Sequence, residues 1–198
     1  MNPDSLPWVT LDLPTLRQKL LHLFCTVAYQ EGDFVLSSGQ PSPYYINGKL
    51  ITLDPQGAVA VGRLLLPWVH PSAIAVAGLT LGADPMVSAT SVVAAYQGRA
   101  LTGILIRKEA KGHGTQAYLE GPALPSGSEV AVLEDVVTTG QSALKAVDRL
   151  RGAGYQVRQI LALVDRQQGG AELYQQHGLE FQSLFALPEV QTHWRSLQ

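Results

Sequence analysis

Residues 130–142 read Val130-Ala131-Val132-Leu133-Glu134-Asp135-Val136-Val137-Thr138-Thr139-Gly140-Gln141-Ser142. The first four are apolar without a break, which predicts a short strand buried on both faces. Two adjacent carboxylates follow, then a turn of small and hydroxyl-bearing residues. SALKAVDRLRGAG comes next, with apolar positions at helical spacing and glycine at its end. Strand, tight turn and helix in that order make half of a βαβ unit, so this stretch points to a parallel sheet.

The same rhythm begins at residue 73. AIAVAG (73–78), LTGILI (101–106) and QILALV (159–164) read as further buried strands. ADPMVSATSVVAAYQG (83–98) and GAELYQQHG (170–178) read as the helices between them. The expectation is an α/β fold, a parallel central sheet flanked by helices, with right-handed connections. Upstream, Leu16, Leu20, Leu21, Phe24, Val27 and Ala28 predict a helix over 14–30, stopped by Gly32. Residues 33–47 read as short strands joined by a turn, and about 56–69 as a second helix. The stretch 121–128 reads as a surface loop, and the chain shows no internal repeat.

Composition narrows the function classes. The 198 residues carry 14 Lys plus Arg and 16 Asp plus Glu, a net charge of −2. Charged residues are 15% of the chain, below the roughly 25% of an average globular protein. With 46% hydrophobic residues the chain is too apolar for disorder. It has no basic excess for gripping a nucleic-acid backbone, so no nucleic-acid partner is expected. No apolar run reaches the roughly 18 residues of a membrane span, and the N-terminal residues do not read as a secretion signal. A cytoplasmic location without a membrane partner is expected. The single cysteine, Cys25, lies among apolar residues and reads as a buried, inert thiol.

In a parallel sheet, ligands bind beyond the carboxyl ends of the strands. The segments there are GLTLGADP (78–85), RKEAKGHGT (107–115), EDVVTTGQS (134–142) and DRQQGG (165–170). In the third, a helix start offers unpaired N–H groups and the positive dipole end. Thr138, Thr139 and Ser142 add hydroxyl donors, and Gly140 permits close backbone approach. This suits a phosphate, and Glu134 and Asp135 suit the hydroxyls of an attached sugar. As bare structure, the same residues would be a helix cap and two exposed acids. Neither a P-loop nor a dinucleotide fingerprint occurs. The second segment gathers Arg107, Lys108 and Lys111, three of the 14 cations, with His113 between two glycines. Such a charge run is usually a solvated surface, but at a strand end beside a phosphate cradle it suits closure over a polyanion. Arg166 at the next strand end suits a carboxylate. His22, His70, His177 and His193 have no metal-ligand spacing.

On these residues the chain resembles the type I phosphoribosyltransferases, and within them the orotate phosphoribosyltransferase family, over roughly residues 30–186. The string from Glu134 through Val136, Val137, Thr138, Thr139, Gly140, Gln141 and Ser142 resembles that family's phosphoribosyl pyrophosphate (PRPP) motif. The resemblance implies transfer of ribose 5-phosphate from PRPP to orotate, giving orotidine 5′-monophosphate and pyrophosphate in pyrimidine synthesis. It implies PRPP binding by Arg107, Lys108, Lys111, His113, Glu134, Asp135 and the residues through Ser142. Lys111, His113, Glu134 and Asp135 would be catalytic, and orotate would meet Arg166, Thr138, Tyr45 and Ile46. Magnesium would be carried mainly by PRPP, with no metal site built from side chains. It further implies one domain over 1–198, in which 1–50 supply an N-terminal helix and a hood over the base. A homodimer is implied, with the 107–115 loop reaching the neighbouring site. Two positions depart from many members: Ser37 stands where a lysine is common, and 78–85 contains no lysine. The alternatives are a purine-base phosphoribosyltransferase, against which Arg166 and the R-K-x-x-K-x-H loop speak, and a non-catalytic PRPP or nucleotide sensor. The sensor reading wants a nucleic-acid-binding surface, and residues 1–30 hold only Arg17 and Lys19 as cations.

Overall fold

A computed structural model of the chain describes residues 8–35, 39, 41–110 and 118–198. In chain order the elements are α1 (Leu13–Leu23), β1 (Tyr29–Val35), β2 (Pro41–Ile46), α2 (Lys49–Thr52), α3 (Pro55–Leu65), β3 (Ala73–Leu79) and α4 (Asp84–Tyr96). They continue with β4 (Thr102–Ile106), β5 (Leu119–Glu120), β6 (Glu129–Val137), α5 (Gln141–Gly152), β7 (Gln159–Asp165), α6 (Gly170–Gln176), β8 (Glu180–Ala186) and α7 (Leu187–Arg195).

The central sheet has the order β5-β4-β3-β6-β7-β8. All its pairings are parallel except the short edge pair β4–β5. Because β3 lies between β4 and β6, the connections leave it in opposite directions, and the β3/β6 boundary is a topological switch point where such sheets open a crevice. The sheet separates two apolar clusters. One holds Ala143, Val147 and Leu150 of α5 with Val130, Val132 and Ile160. The other holds α1, α3 and α4 with Ala131, Leu133 and Leu161. Burial on both faces is what the unbroken apolar runs predict.

The N-terminal region departs from the expected helix over 14–30. Asp12 caps α1 by accepting from the Thr15 N–H at 2.9 Å, but α1 passes into a π turn at Phe24–Ala28, and a strand starts at Tyr29. The hairpin wins here: Tyr29 pairs with Ile46 across β1–β2, and its buried ring stacks on Tyr44 at 5.9 Å. The helix expected over 56–69 is α3, capped by Asp54 on the N–H groups of Gln56 and Gly57. It tightens into a 3-10 turn at Leu66–Trp68, where Pro67 brings no N–H.

Four elements had no sequence expectation: α2, β5, β8 and α7. β8 is an edge strand whose first four residues are exposed or half-buried, so no continuous apolar run marks it. Arg17 of α1 grips Glu189 of α7 through both Nη atoms at 2.7 and 2.8 Å, and donates to the Leu184 carbonyl of β8 at 2.7 Å. No helix among the described residues is long and apolar enough to cross a membrane.

Candidate active site

β6 runs through Val137, so Glu134 and Asp135 lie inside the strand and not beyond it. The pleat starts their side chains in opposite directions, yet the two carboxyl groups remain close enough to interact. Glu134 joins Val136, Val137, Thr138, Thr139, Gly140, Gln141 and Ser142 around a cavity of about 60 Å³ at the start of α5. That is room for a compact polar group and not for a ring. Gly140 caps α5 with φ 83° and no side-chain cap bond, leaving the first-turn N–H groups to the cavity. A Cβ on Gly140 would come within 2.9 Å of the Tyr174 ring.

Glu134 and Tyr174 both line this cavity, and their buried Oε2 and Oη have no hydrogen-bond partner among the described residues. Burial pushes the Glu134 carboxyl well above its ordinary value, and the neighbouring Asp135 charge adds to this while Lys108 opposes it. Burial, with the charges of Glu134 and Asp165, likewise holds the Tyr174 phenol firmly protonated.

Asp135 also reaches the loop after β3. Its Oδ1 accepts from the Val136 N–H at 3.0 Å, and its side chain lies against Gly48 and Gly82. A Cβ on Gly82 would fall 2.5 Å from that carboxylate, so only glycine lets the 78–85 loop close on Asp135. The loop after β3 and the acid on β6 thus meet at the switch point.

The stems of the basic loop are held together by described residues. The Arg107 N–H donates to the Tyr118 carbonyl at 2.8 Å, and its guanidinium pairs with Glu120 at 3.0 Å. Arg149 of α5 donates to the carbonyls of Arg107 and Lys108 and lies 4.2 Å over the Tyr118 ring. Its place in the sequence, among other polar residues of α5, carries no signal of this role. Lys111 and His113 lie outside the described residues, as does Ser37.

At the end of β7, the Arg166 N–H donates to the Val137 carbonyl at 2.9 Å, which sets this arginine directly beside the cavity. Its Nε donates to Tyr44 Oη at 2.8 Å. Its Nη atoms make no hydrogen bond among the described residues, leaving a fork suited to a carboxylate. Gln168 reaches the same Tyr44 oxygen at 3.4 Å. The hairpin residue that meets Arg166 is therefore Tyr44, which the sequence reading passed over. Tyr45 is 44% exposed and packs on Phe34, and Ile46 packs against the larger apolar cluster. The signal was available: strand alternation puts Ser42 and Tyr44 on the buried face and Tyr45 on the exposed one. Thr138 sits at the junction, between the cavity and the residue bonded to Arg166. Among the described residues no cluster of three or more His, Cys, Asp or Glu could hold a metal ion.

No protein-family model matches the chain. An orotate phosphoribosyltransferase of a Nostoc species is 64% identical over 188 residues, covering 95% of this chain and 91% of that protein. One of a Synechocystis species is 62% identical over 186 residues, covering 94% of each. Among solved structures, the Mycobacterium tuberculosis orotate phosphoribosyltransferase in complex with PRPP superposes with a TM-score of 0.75 at 30% identity. That match covers 89% of this chain and 99% of the mycobacterial one.

Proposed function

This chain belongs to the orotate phosphoribosyltransferase family, and from that premise we propose that it transfers ribose 5-phosphate from PRPP to N1 of orotate. The products are orotidine 5′-monophosphate and pyrophosphate, a step in pyrimidine nucleotide synthesis. One observation carries the reading: the hydrogen bond from the Arg166 N–H to the Val137 carbonyl sets a guanidinium whose Nη atoms are unbonded among the described residues beside a phosphate-sized cavity. A reaction that unites a base bearing a carboxylate with a sugar phosphate needs those two holds side by side.

In this reading the N–H groups at the start of α5, with Thr138, Thr139 and Ser142, hold the 5′-phosphate. Val136, Val137, Gly140 and Gln141 shape that cradle. Glu134 and Asp135, whose carboxyl groups lie close enough to interact, accept from the ribose hydroxyls. Arg166 binds the orotate carboxylate with Tyr44 bracing it, and Thr138, Tyr45 and Ile46 complete the base site. The C1–O bond to pyrophosphate breaks with oxocarbenium character, so negative charge grows on the leaving group. Arg107, Lys108, Lys111 and His113 stabilise that charge and exclude water. Magnesium fits the arrangement as a passenger on PRPP: the chain offers Asp135 as a hard oxygen donor, and among the described residues no cluster would cage the ion. When bound, it supplies countercharge to the pyrophosphate oxygens.

The whole chain acts as one domain, with 1–50 forming the hood through Tyr44. It works in the cytoplasm as a homodimer whose 107–115 loop reaches the neighbouring site. Mixing protein, orotate, PRPP and magnesium tests the function through the loss of orotate absorbance. Turnover of a purine base in place of orotate would overturn it.

A further inference from the structure

We propose that Arg149 is a positioning residue for the reaction: its guanidinium fixes the stem of the basic segment, so that Arg107 and Lys108 meet the pyrophosphate end of PRPP. This rests on the functional reading above and extends it to a residue that touches no substrate.

Arg149 lies half-buried in the third turn of α5. One of its Nη atoms donates to the Arg107 carbonyl and the other to the Lys108 carbonyl, the latter at 2.8 Å. Its Cζ sits 4.2 Å from the centre of the Tyr118 ring. The Tyr118 carbonyl in turn accepts from the Arg107 N–H at 2.8 Å. A single planar fork thus holds the chain where it leaves β4 and where it enters β5. Arginine suits this task, because its donors diverge in a fixed plane while its face stacks on a ring. Among the described residues, its side chain makes no hydrogen bond to its own helix.

The stem leads to the site. Lys108 lowers the Glu134 carboxyl against the effect of burial, so its charge acts on an acid that lines the cavity. Arg107 adjoins it, with its guanidinium paired to Glu120 at 3.0 Å. Gly140 opens α5 at the phosphate cradle, and Arg149 follows about 13 Å along the helix axis at about 1.5 Å per residue. One rigid helix therefore sets both the cradle for the 5′-phosphate and the backbone that carries two cations for the leaving group. Fixing that spacing in advance lowers the ordering cost of gripping both ends of one substrate.

Arg149→Met, which keeps an apolar stem and removes the donors, tests this in the full chain. Inorganic pyrophosphate with magnesium and ribose 5-phosphate are the binding probes, beside steady-state assays with PRPP and orotate. The Kd for pyrophosphate and the KM for PRPP should each rise about tenfold, while the Kd for ribose 5-phosphate and the KM for orotate stay within about twofold. Arg149→Lys keeps the charge but loses the planar fork, so its rise should be smaller, about threefold. The lysine variant decides alone if the methionine variant does not fold. A merely structural role would weaken both probes together, and that result would overturn the proposal. So would unchanged pyrophosphate and PRPP constants in the methionine variant, or a lysine variant equal to wild type, since charge alone would then suffice. If wild-type protein neither bound pyrophosphate nor consumed orotate, the functional reading would fall, and this inference with it.

Discussion

Replacing Glu134 by glutamine should make the ligand-free protein more stable and less active. Glu134 is 7% exposed, and its Oε2 has no hydrogen-bond partner among the described residues. Burial, followed by the charge of Asp135, raises its carboxyl well above the ordinary 4.5, with Lys108 opposing. The folded protein therefore holds a proton that the unfolded chain releases above pH 4.5. Between those two values the folded state binds more protons, so stability falls as pH rises, by up to about 1.36 kcal/mol per pH unit. From pH 4.5 to pH 8 this sets a ceiling of about 5 kcal/mol. Glutamine removes the ionisation but leaves a buried amide, so the net gain at pH 8 should be nearer 1–2 kcal/mol, about 2–8 °C in Tm for a chain of this size. At pH 5 the gain should shrink towards zero, because wild-type Glu134 then costs little to protonate. Thermal melts of both proteins at pH 5 and pH 8, without PRPP, measure this directly. Turnover should fall about tenfold or more, as the carboxylate hold on the ribose is lost. A variant that melts below wild type at pH 8, or a gain equal at both pH values, would refute the argument.

Other perturbations address the remaining parts of the site. Arg166→Ala should raise the KM for orotate about tenfold or more, as expected for a charge-assisted pair, while the KM for PRPP changes little; equal rises would end the base assignment. Lys111→Ala should cut kcat strongly with the melting curve intact. A kcat within about threefold of wild type, under about 0.7 kcal/mol, would remove Lys111 from the transition state. Gly140→Ala puts a Cβ on a residue at φ 83° and against the Tyr174 ring, so it should cost about 1–2 kcal/mol of stability and weaken PRPP binding; a neutral result in melts and assays would contradict that geometry. Cys25 is buried with its thiol pushed up to about 11, mainly by burial. Its labelling by a disulfide reagent at pH 8 should be about a hundredfold slower than in denatured chain, and rapid native labelling would contradict that burial.

The parallel strands at 73–79, 102–106, 129–137 and 159–165 were legible because a strand covered on both faces has to be apolar throughout. Their alternation with helices sets the polar segments 78–85, 107–115, 134–142 and 165–170 at or beyond the carboxyl ends of the strands. β8 and α7 were not legible, since an edge strand and a terminal helix take their apolar partners from elsewhere in the fold. The boundary at Tyr29 was misread because helical periodicity through Ala28 gives no warning that a hairpin will capture the next residue.

The sequence by itself determined the fold class, the glycine turn between β6 and α5 and the place of Arg166 at a strand end, because each is written in consecutive residues whose chemistry is local. It could not tell that the Asp135 carboxylate meets Gly82 of the loop after β3, that Tyr44 and not Tyr45 meets Arg166, or that Arg149 joins α5 to the stems of the basic loop. Nor could it bring Tyr174 beneath Gly140. Those facts depend on pleat, register and the packing of residues far apart in the chain, and only the tertiary structure decides them.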